Sequence, residues 1–222
     1  MRMHTVASIA APTTARSRDT SFVVRATTAG GIVAGPAFVL VVLLQAFTRE
    51  GYDLSRHPVS MLALGDLGWI QSANFILSGA LMVAFAVGLR ASRAGTWGPL
   101  LVGLFGIGLI TAGVFVPDPA WNFPPGAPDG IPSQLSTNAM LHGVGFSVAF
   151  LGISAACLVF TRRFMATGER MLAAYTLASA VIALALSGWP GADGASIRYF
   201  AASVIVWTWS VVLAIRVKSD QA

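Results

Sequence analysis

The sequence is poor in the side chains from which soluble proteins and most catalytic sites are built. Charged residues make up only 10% of its 222 residues, whereas 55% are hydrophobic and the mean hydropathy is +0.73. Because an ordinary soluble domain has about 25% charged residues, this composition excludes that class. The chain also has a single cysteine, Cys157, inside an apolar stretch. An intrachain disulfide and a cysteine-based metal cage are therefore excluded.

Charge is also missing from the middle of the apolar stretches, of which there are six. Each is close to the ~20 residues that a helix needs to cross a lipid bilayer. We therefore predict an all-α polytopic membrane protein, with six transmembrane helices in one bundle over residues 29–216. Asp, Glu, Lys and Arg inside a span usually mark ion or proton pathways, so their absence argues against an ion-driven transporter. The predicted spans are 30–47, 69–89, 97–116, 138–160, 171–189 and 199–215.

Basic residues are distributed unequally among the polar segments between these spans. Eleven of the fourteen Arg and Lys residues fall in the N-terminal tail, the second and fourth loops and the C-terminal tail; Arg49, Arg56 and Arg198 are the exceptions. Because cytoplasmic loops retain basic residues, we predict a plasma-membrane protein with both termini in the cytoplasm. Residues 1–28 are predicted to be a disordered cytoplasmic tail and residues 217–222 a second cytoplasmic tail. The basic residues form no patch, so no nucleic-acid partner is expected.

Small and amide side chains inside the spans indicate how the helices pack. The third span carries Gly98, Gly103, Gly106, Gly108 and Gly113. That many glycines would weaken a helix in water, but in lipid they allow helices to approach closely. Such faces could also join copies of the chain in a homo-oligomer or bind a membrane partner. Asn74 is expected to bond across helices, because an unpaired amide in hydrocarbon is costly.

Three polar segments are predicted to meet on the outer side: a first loop (49–68), a proline-rich lid (117–137) and a short connection (190–198). The lid holds six of the eleven prolines, which preclude a regular helix and stiffen the segment. Asn138 is the predicted N-cap of the fourth span, so His142 lies about one turn into the membrane.

Two histidines and one carboxylate can converge at this outer face. His57 lies in the first loop, Asp118 opens the lid and His142 follows it. They are the minimum ligand set for a catalytic zinc or a non-haem iron, with Ser60 as a substrate contact. Two other interpretations stay open. Asp118 and His142 could instead form a structural pair that pins the lid, or the two histidines could hold a b-type haem.

Several short motifs occur in order on the same face. They are Ser-Arg-His-Pro-Val-Ser-x-Leu at 55–62, Gly-Trp at 68–69, Pro-Asp-Pro at 117–119, Phe-Pro-Pro-Gly at 123–126 and Leu-His-Gly at 141–143. With them the chain resembles, over about residues 30–216, the bacterial six-span membrane family called domain of unknown function 998. The resemblance implies a six-helix integral membrane protein without an established reaction, and recurrent polar positions at His57, Ser60, Asp118 and His142.

A fainter similarity links the chain to membrane hydrolases typified by alkaline ceramidases, which use Ser, Asp and three His around zinc. The chain lacks their paired HxxxH motif in the final span and has one span fewer. Three function classes therefore remain. The default is a non-enzymatic membrane module, such as an accessory subunit or sensor. The alternatives are a metal-dependent hydrolase acting on lipid or envelope substrate at the outer leaflet, and a small-molecule permease.

Overall fold

The protein is an all-helical bundle in the computed structural model, which describes the backbone of residues 13–189 and 194–220 and the side chains of 26–189 and 194–220. Six helices are long and apolar enough to span a membrane, and the described residues form no strand. The predicted fold class is thereby confirmed. The elements are α1 (Thr13–Thr48), a 3₁₀ helix (Val59–Ala63), α2 (Gly68–Ala91), α3 (Trp97–Val114), α4 (Thr137–Ala166), α5 (Arg170–Gly188) and α6 (Ala195–Ser219).

Three helices extend at least four residues beyond a predicted end. α1 begins at Thr13, within the segment 1–28 for which the sequence predicts disorder. No Pro or Gly interrupts residues 13–29, so nothing there breaks a helix that is already nucleated in the span. The first twelve residues lie outside the described chain. α4 and α6 likewise run past their predicted ends, to Ala166 and Ser219.

The six helices form a closed ring in which each packs beside the helix next to it in the chain. α3 packs most extensively, against both α2 and α4, and α6 returns to α1 to close the ring. Consecutive helices are therefore antiparallel neighbours, as the short second and fourth loops predict. At one end lie the first loop and the lid; this end is called the lid end. The opposite, basic end carries Arg90, Arg93, Arg162, Arg163, Arg170, Arg216 and Lys218.

Glycines set the closest helix contacts inside the bundle. A Cβ added to Gly106 would lie 2.6 Å from the Gly79 carbonyl oxygen of α2, and one on Gly108 would lie 2.6 Å from the Gly145 carbonyl oxygen of α4. Only glycine permits this approach, since real Cβ atoms are not found so near a backbone oxygen. The prediction of tightly packed glycine faces is confirmed. At these positions the faces pack within one chain, which leaves them unavailable to a second copy.

A polar cluster joins α1 to α2 near the lid end. Asn74 donates to the Phe38 carbonyl oxygen at 3.2 Å and to Gln71 Oε1 at 3.3 Å, and Gln45 donates to the same Oε1 at 2.9 Å. The expected bond from Asn74 across helices is confirmed. All three amides are buried, so each bond replaces one that water would otherwise make.

Candidate functional site: a cavity beneath the first loop

His57 fastens the first loop to the lid. Its Nδ1 accepts from the Asp53 backbone N–H at 2.9 Å, and its Nε2 lies 2.9 Å from the Trp121 carbonyl oxygen, to which it donates. An acceptor at Nδ1 and a donor at Nε2 define a neutral imidazole with both nitrogens occupied. The ring is 3% exposed. His57 is therefore a structural residue of the lid end, with no lone pair left for a metal or a haem.

Phe123 of the lid forms a small aromatic core with the first loop. It is fully buried, and its ring centroid lies 5.3 Å from those of Tyr52 and His57. Burial, followed by the nearby Asp53 carboxylate, raises the pKa of Tyr52, whose hydroxyl donates to the His57 carbonyl oxygen at 2.8 Å. The guanidinium of Arg49 stacks 5.6 Å from the centre of the Phe123 ring. These contacts pack this part of the lid against the first loop.

Arg49 holds the first loop on the bundle. Its guanidinium donates to the carbonyl oxygens of Leu62 and Leu64, at 3.2 Å and 2.5 Å. The Leu62 carbonyl lies in the last turn of the 3₁₀ helix that the loop contributes, and Leu64 is the residue directly after that helix. Desolvation by burial lowers the pKa of Arg49, and the Asp66 carboxylate opposes that shift. The cation at the end of α1 is therefore used to position the loop.

Asp118 closes the base of the lid and does not meet the histidines. Its Oδ2 accepts from the Ser136 backbone N–H at 2.8 Å, and the Ser136 hydroxyl accepts from the Ala139 N–H at 3.1 Å. Ser136, with extended backbone angles of −64° and 159°, is thus the N-cap of α4. The prediction of Asn138 as N-cap is wrong, because Asn138 already lies inside the helix. A direct Asp118–His142 pair is not formed among the described side chains.

His142 caps the C-terminus of α3. Its Nδ1 lies 3.0 Å from the Ala112 carbonyl oxygen and 2.9 Å from that of Phe115. The last carbonyls of a helix lack partners within the helix, so the Nδ1 proton of His142 satisfies two acceptors of this kind. In the neutral ring the remaining Nε2 is an acceptor, and it has no hydrogen-bond partner among the described residues.

The predicted metal ligands are consequently dispersed. No group of three or more His, Cys, Asp or Glu side chains that could hold a metal ion occurs in the described part of the chain. Both ring nitrogens of His57 and one oxygen of Asp118 are engaged by backbone groups. Of the four polar residues singled out in the sequence, the structure brings together Ser60 and His142, on the wall of one cavity.

This cavity lies inside the lid-end half of the ring. About 80 Å³ of its space is open to the centres of water-sized molecules, several times the ~10–15 Å³ that one water requires. Pro58 and the first two residues of the 3₁₀ helix, Val59 and Ser60, roof the cavity. Trp207 and Phe105 close its floor, with ring centroids 5.2 Å apart. From Tyr199 to Trp207 along α6 the cavity is about 12 Å deep, at ~1.5 Å per residue.

Among the α-helical residues that line the cavity, those with solvent exposure lie on α4 and α6, from which we infer a lateral mouth between these two helices. Its lining residues on α1, α2 and α3 are buried, whereas Phe146 on α4 is 38% exposed and Phe150, Tyr199 and Ser203 are half-buried. α5 stands between α4 and α6 in the ring, but its last buried residue is Ala183 and it contributes nothing to the lining. The mouth therefore faces the zone that lipid tails would occupy around these spans.

Polar groups lie at the lid end of the cavity and apolar groups at its floor. Ser60, His142 and Tyr199 line its upper part, and neither the Ser60 nor the Tyr199 hydroxyl has a hydrogen-bond partner among the described residues. Ser203 also lines the cavity, but its hydroxyl donates to the Phe200 carbonyl oxygen at 2.7 Å. No charged side chain is among the described lining residues.

The residues singled out in the sequence do not include Tyr199 and Ser203, although the spacing of residues on α4 and α6 indicates them. His142, Phe146 and Phe150 recur every four residues on α4, and Tyr199, Ser203 and Trp207 do so on α6. Residues at this spacing share one helix face. The sequence therefore shows, on each of two helices, a polar residue at the start of a face that also carries aromatic residues. It does not show that these two faces, on α4 and α6, line the same cavity.

Comparison with known proteins gives one match. The model of the family described as "Protein of unknown function (DUF998)" matches residues 32–216, which contain all six membrane-spanning segments except the first turns of α1 and the end of α6. No curated protein and no solved structure matches the chain.

Proposed function

Because the chain belongs to the DUF998 family, whose function is unknown, we propose a function from the cavity: the protein is a non-enzymatic membrane module that binds an apolar ligand taken from the bilayer. A single observation carries the proposal, namely a largely apolar cavity with its mouth between two membrane-spanning helices. Apolar pockets with a few convergent polar groups are the usual form of small-molecule sites. A lipid tail can enter this mouth without crossing water.

The hydrolase alternative receives less support. Its three predicted ligands, His57, Asp118 and His142, have separate backbone partners. A metal-assisted hydrolase needs those ligands on one ion, which polarises the scissile group and acidifies a bound water. Metal analysis tests this directly: stoichiometric zinc or iron in the purified protein that is lost in His142→Ala would overturn the non-enzymatic proposal.

A permease would need a path from the cavity to the basic end, and that half of the bundle is packed. The ring centroids of Phe160 and Trp209 lie 5.9 Å apart, and those of Phe160 and Phe164 lie 6.1 Å apart. Phe160 and Trp209 are 1% exposed. The described residues therefore favour a binding pocket with one lateral mouth over a conduit.

Orientation is part of the proposal. The basic end faces the cytoplasm of a bacterial cell and the lid end faces outward, because basic residues are retained on the cytoplasmic side. Cys157 is buried, so introduced cysteines can be labelled over a low background. A membrane-impermeant maleimide added to intact cells should label Asp129→Cys and spare Lys218→Cys. The reverse pattern would refute the orientation.

Photolabelling tests the cavity. The purified protein is placed in phosphatidylcholine nanodiscs containing a lipid with a diazirine in its acyl chain, and labelled residues are mapped by mass spectrometry. We expect label to concentrate on Phe146, Phe150 and Tyr199. Ser203→Phe, which fills the cavity, should remove this excess, whereas Thr208→Phe on the exposed face of the same helix should not. Label spread evenly over lipid-facing residues would refute the proposal.

A further inference from the structure

His142 presents an unused acceptor to the cavity. The side chain is 8% exposed and lines the cavity, and its Nδ1 edge is turned toward the carbonyl oxygens of Ala112 and Phe115. The opposite edge, with Nε2, therefore faces the cavity. An acceptor that lines an apolar cavity gains a hydrogen bond when a donor lies beside it, so this nitrogen is free to accept from an occupant of the cavity.

The backbone fixes which kind of group His142 accepts. Two carbonyl oxygens can only accept, so the proton of a neutral imidazole stays on Nδ1 and Nε2 keeps its lone pair. A ligand atom opposite Nε2 must then carry a hydrogen. Ether and ester oxygens carry none and would leave Nε2 unpaired.

The other polar groups of the cavity complement a hydroxyl. Ser60 and Tyr199 line the same upper region, and no hydrogen bond of either hydroxyl occurs among the described residues. Either can donate to a ligand oxygen whose own hydrogen goes to His142. A hydroxyl is the smallest group that both donates and accepts.

An ionised head group does not fit. No Arg or Lys is among the described residues that line the cavity, and burying an unpaired charge is far more costly than burying a hydroxyl. Below the polar groups the lining is aromatic and aliphatic to the floor at Phe105 and Trp207.

We propose that the ligand is a single-chain lipid alcohol, with its chain in the apolar lower part of the cavity and its hydroxyl donating to His142 Nε2 and accepting from Ser60 or Tyr199. This inference rests on the proposed function, since it names the ligand class of the same cavity. It assigns His142 two separate roles, one at each ring nitrogen.

Competition against the photolabel tests the ligand class. Dodecan-1-ol, its methyl ether, dodecane and dodecanoate are each added to the nanodiscs, whose phosphatidylcholine carries no hydroxyl of its own. We expect the alcohol to displace label from Phe146 and Tyr199 at a concentration about 3- to 10-fold lower than the ether, the ratio that one net hydrogen bond gives. Equal potency of alcohol, ether and alkane would overturn the ligand class and leave apolar binding standing. Dodecanoate as the most potent competitor at neutral pH would also overturn it. Label not concentrated at the cavity refutes the proposed function itself.

Two substitutions separate the roles of His142. In His142→Asn the side-chain nitrogen can take the place of Nδ1 and keep the cap on α3, while the acceptor at the Nε2 position is lost. In His142→Gln an acceptor can occupy the Nε2 position. The preference for alcohol over ether should disappear in the first variant and persist in the second. Ser147→Ala, on the exposed face of α4, is the control and should keep the preference. An unchanged preference in His142→Asn would overturn the assignment.

Discussion

The glycine contacts between α3 and its neighbours allow a quantitative test of the packing. Alanine at position 108 would place a Cβ 2.6 Å from the Gly145 carbonyl oxygen and from the Ala149 nitrogen, where ordinary contact begins at 3.4 Å. Both atoms belong to backbone, so α3 and α4 must separate by about 0.8 Å. A gap of ~0.5–1 Å forfeits a quarter to a half of the ~0.1–0.2 kcal/mol in each atomic contact. For the ~40–60 contacts that one buried side chain makes, the loss is on the order of 1–6 kcal/mol, which overlaps the ~1–3 kcal/mol typical of overpacked cores.

The assay is equilibrium unfolding in mixed micelles with increasing SDS, followed by tryptophan fluorescence. Gly108→Ala is compared with Gly103→Ala on the same helix, whose Cβ would meet the Ala86 Cβ at 3.5 Å, an ordinary contact. We expect Gly108→Ala to lower the free energy of unfolding by at least ~1 kcal/mol, and Gly103→Ala to leave it unchanged or raise it through helix propensity. Equal values for the two variants would refute the assignment of these glycines to intrachain packing.

Three further predictions concern the lid end, the basic end and the polar cluster. Arg49→Lys removes the fork that holds two carbonyls and should increase amide hydrogen exchange in residues 59–64, whereas Arg56→Lys, whose ion pair with Asp129 is exposed, should not. Hydrogen bonds from Arg216 and then Thr167 lower the pKa of Glu169 below 4.5, so the stability they confer is present above that pH and is lost as pH falls through the lower, folded-state pKa. Below about pH 4.5 the unfolding curves of wild type and Glu169→Gln should therefore converge, and a constant difference down to pH 2 would contradict this. Gln71→Leu alone should destabilise by ~1–3 kcal/mol because it removes the acceptor that the Gln45 and Asn74 amides share and leaves each of them one backbone carbonyl. The added change Gln45→Leu should recover part of that loss in the SDS assay.

Much of the fold could be predicted because the membrane constrains it strongly. Six uncharged apolar stretches and two short loops leave few alternatives to an antiparallel ring of helices. The residues at which the helices begin and end were harder to predict. Ser136 rather than Asn138 caps α4. The Ser136 N–H donates to Asp118, which lies 18 residues earlier in the chain. Pairing at that distance along the chain is not visible in local sequence.

Half of the candidate site could be predicted. Ser60 and His142 stood out as rare polar residues in apolar surroundings, and both line the cavity. His57 stood out for the same reason, but its role is set by the Asp53 N–H and the Trp121 carbonyl oxygen. Backbone groups are present at every residue, so sequence cannot indicate which of them a side chain will meet. His57 and His142 both donate to backbone carbonyl oxygens, and only geometry shows which ring nitrogen of each is used.

The first loop also touches the helix that forms one side of the cavity mouth. The Ser196 hydroxyl at the start of α6 donates to the Arg56 carbonyl oxygen at 2.9 Å, and the Arg56 side chain pairs with Asp129 of the lid. Tilting α6 outward to admit an occupant would therefore pull on the loop, and the loop would shift the lid's surface. If the cavity binds the proposed ligand, its occupancy would in this way be coupled to the position of the lid on the opposite side of the first loop.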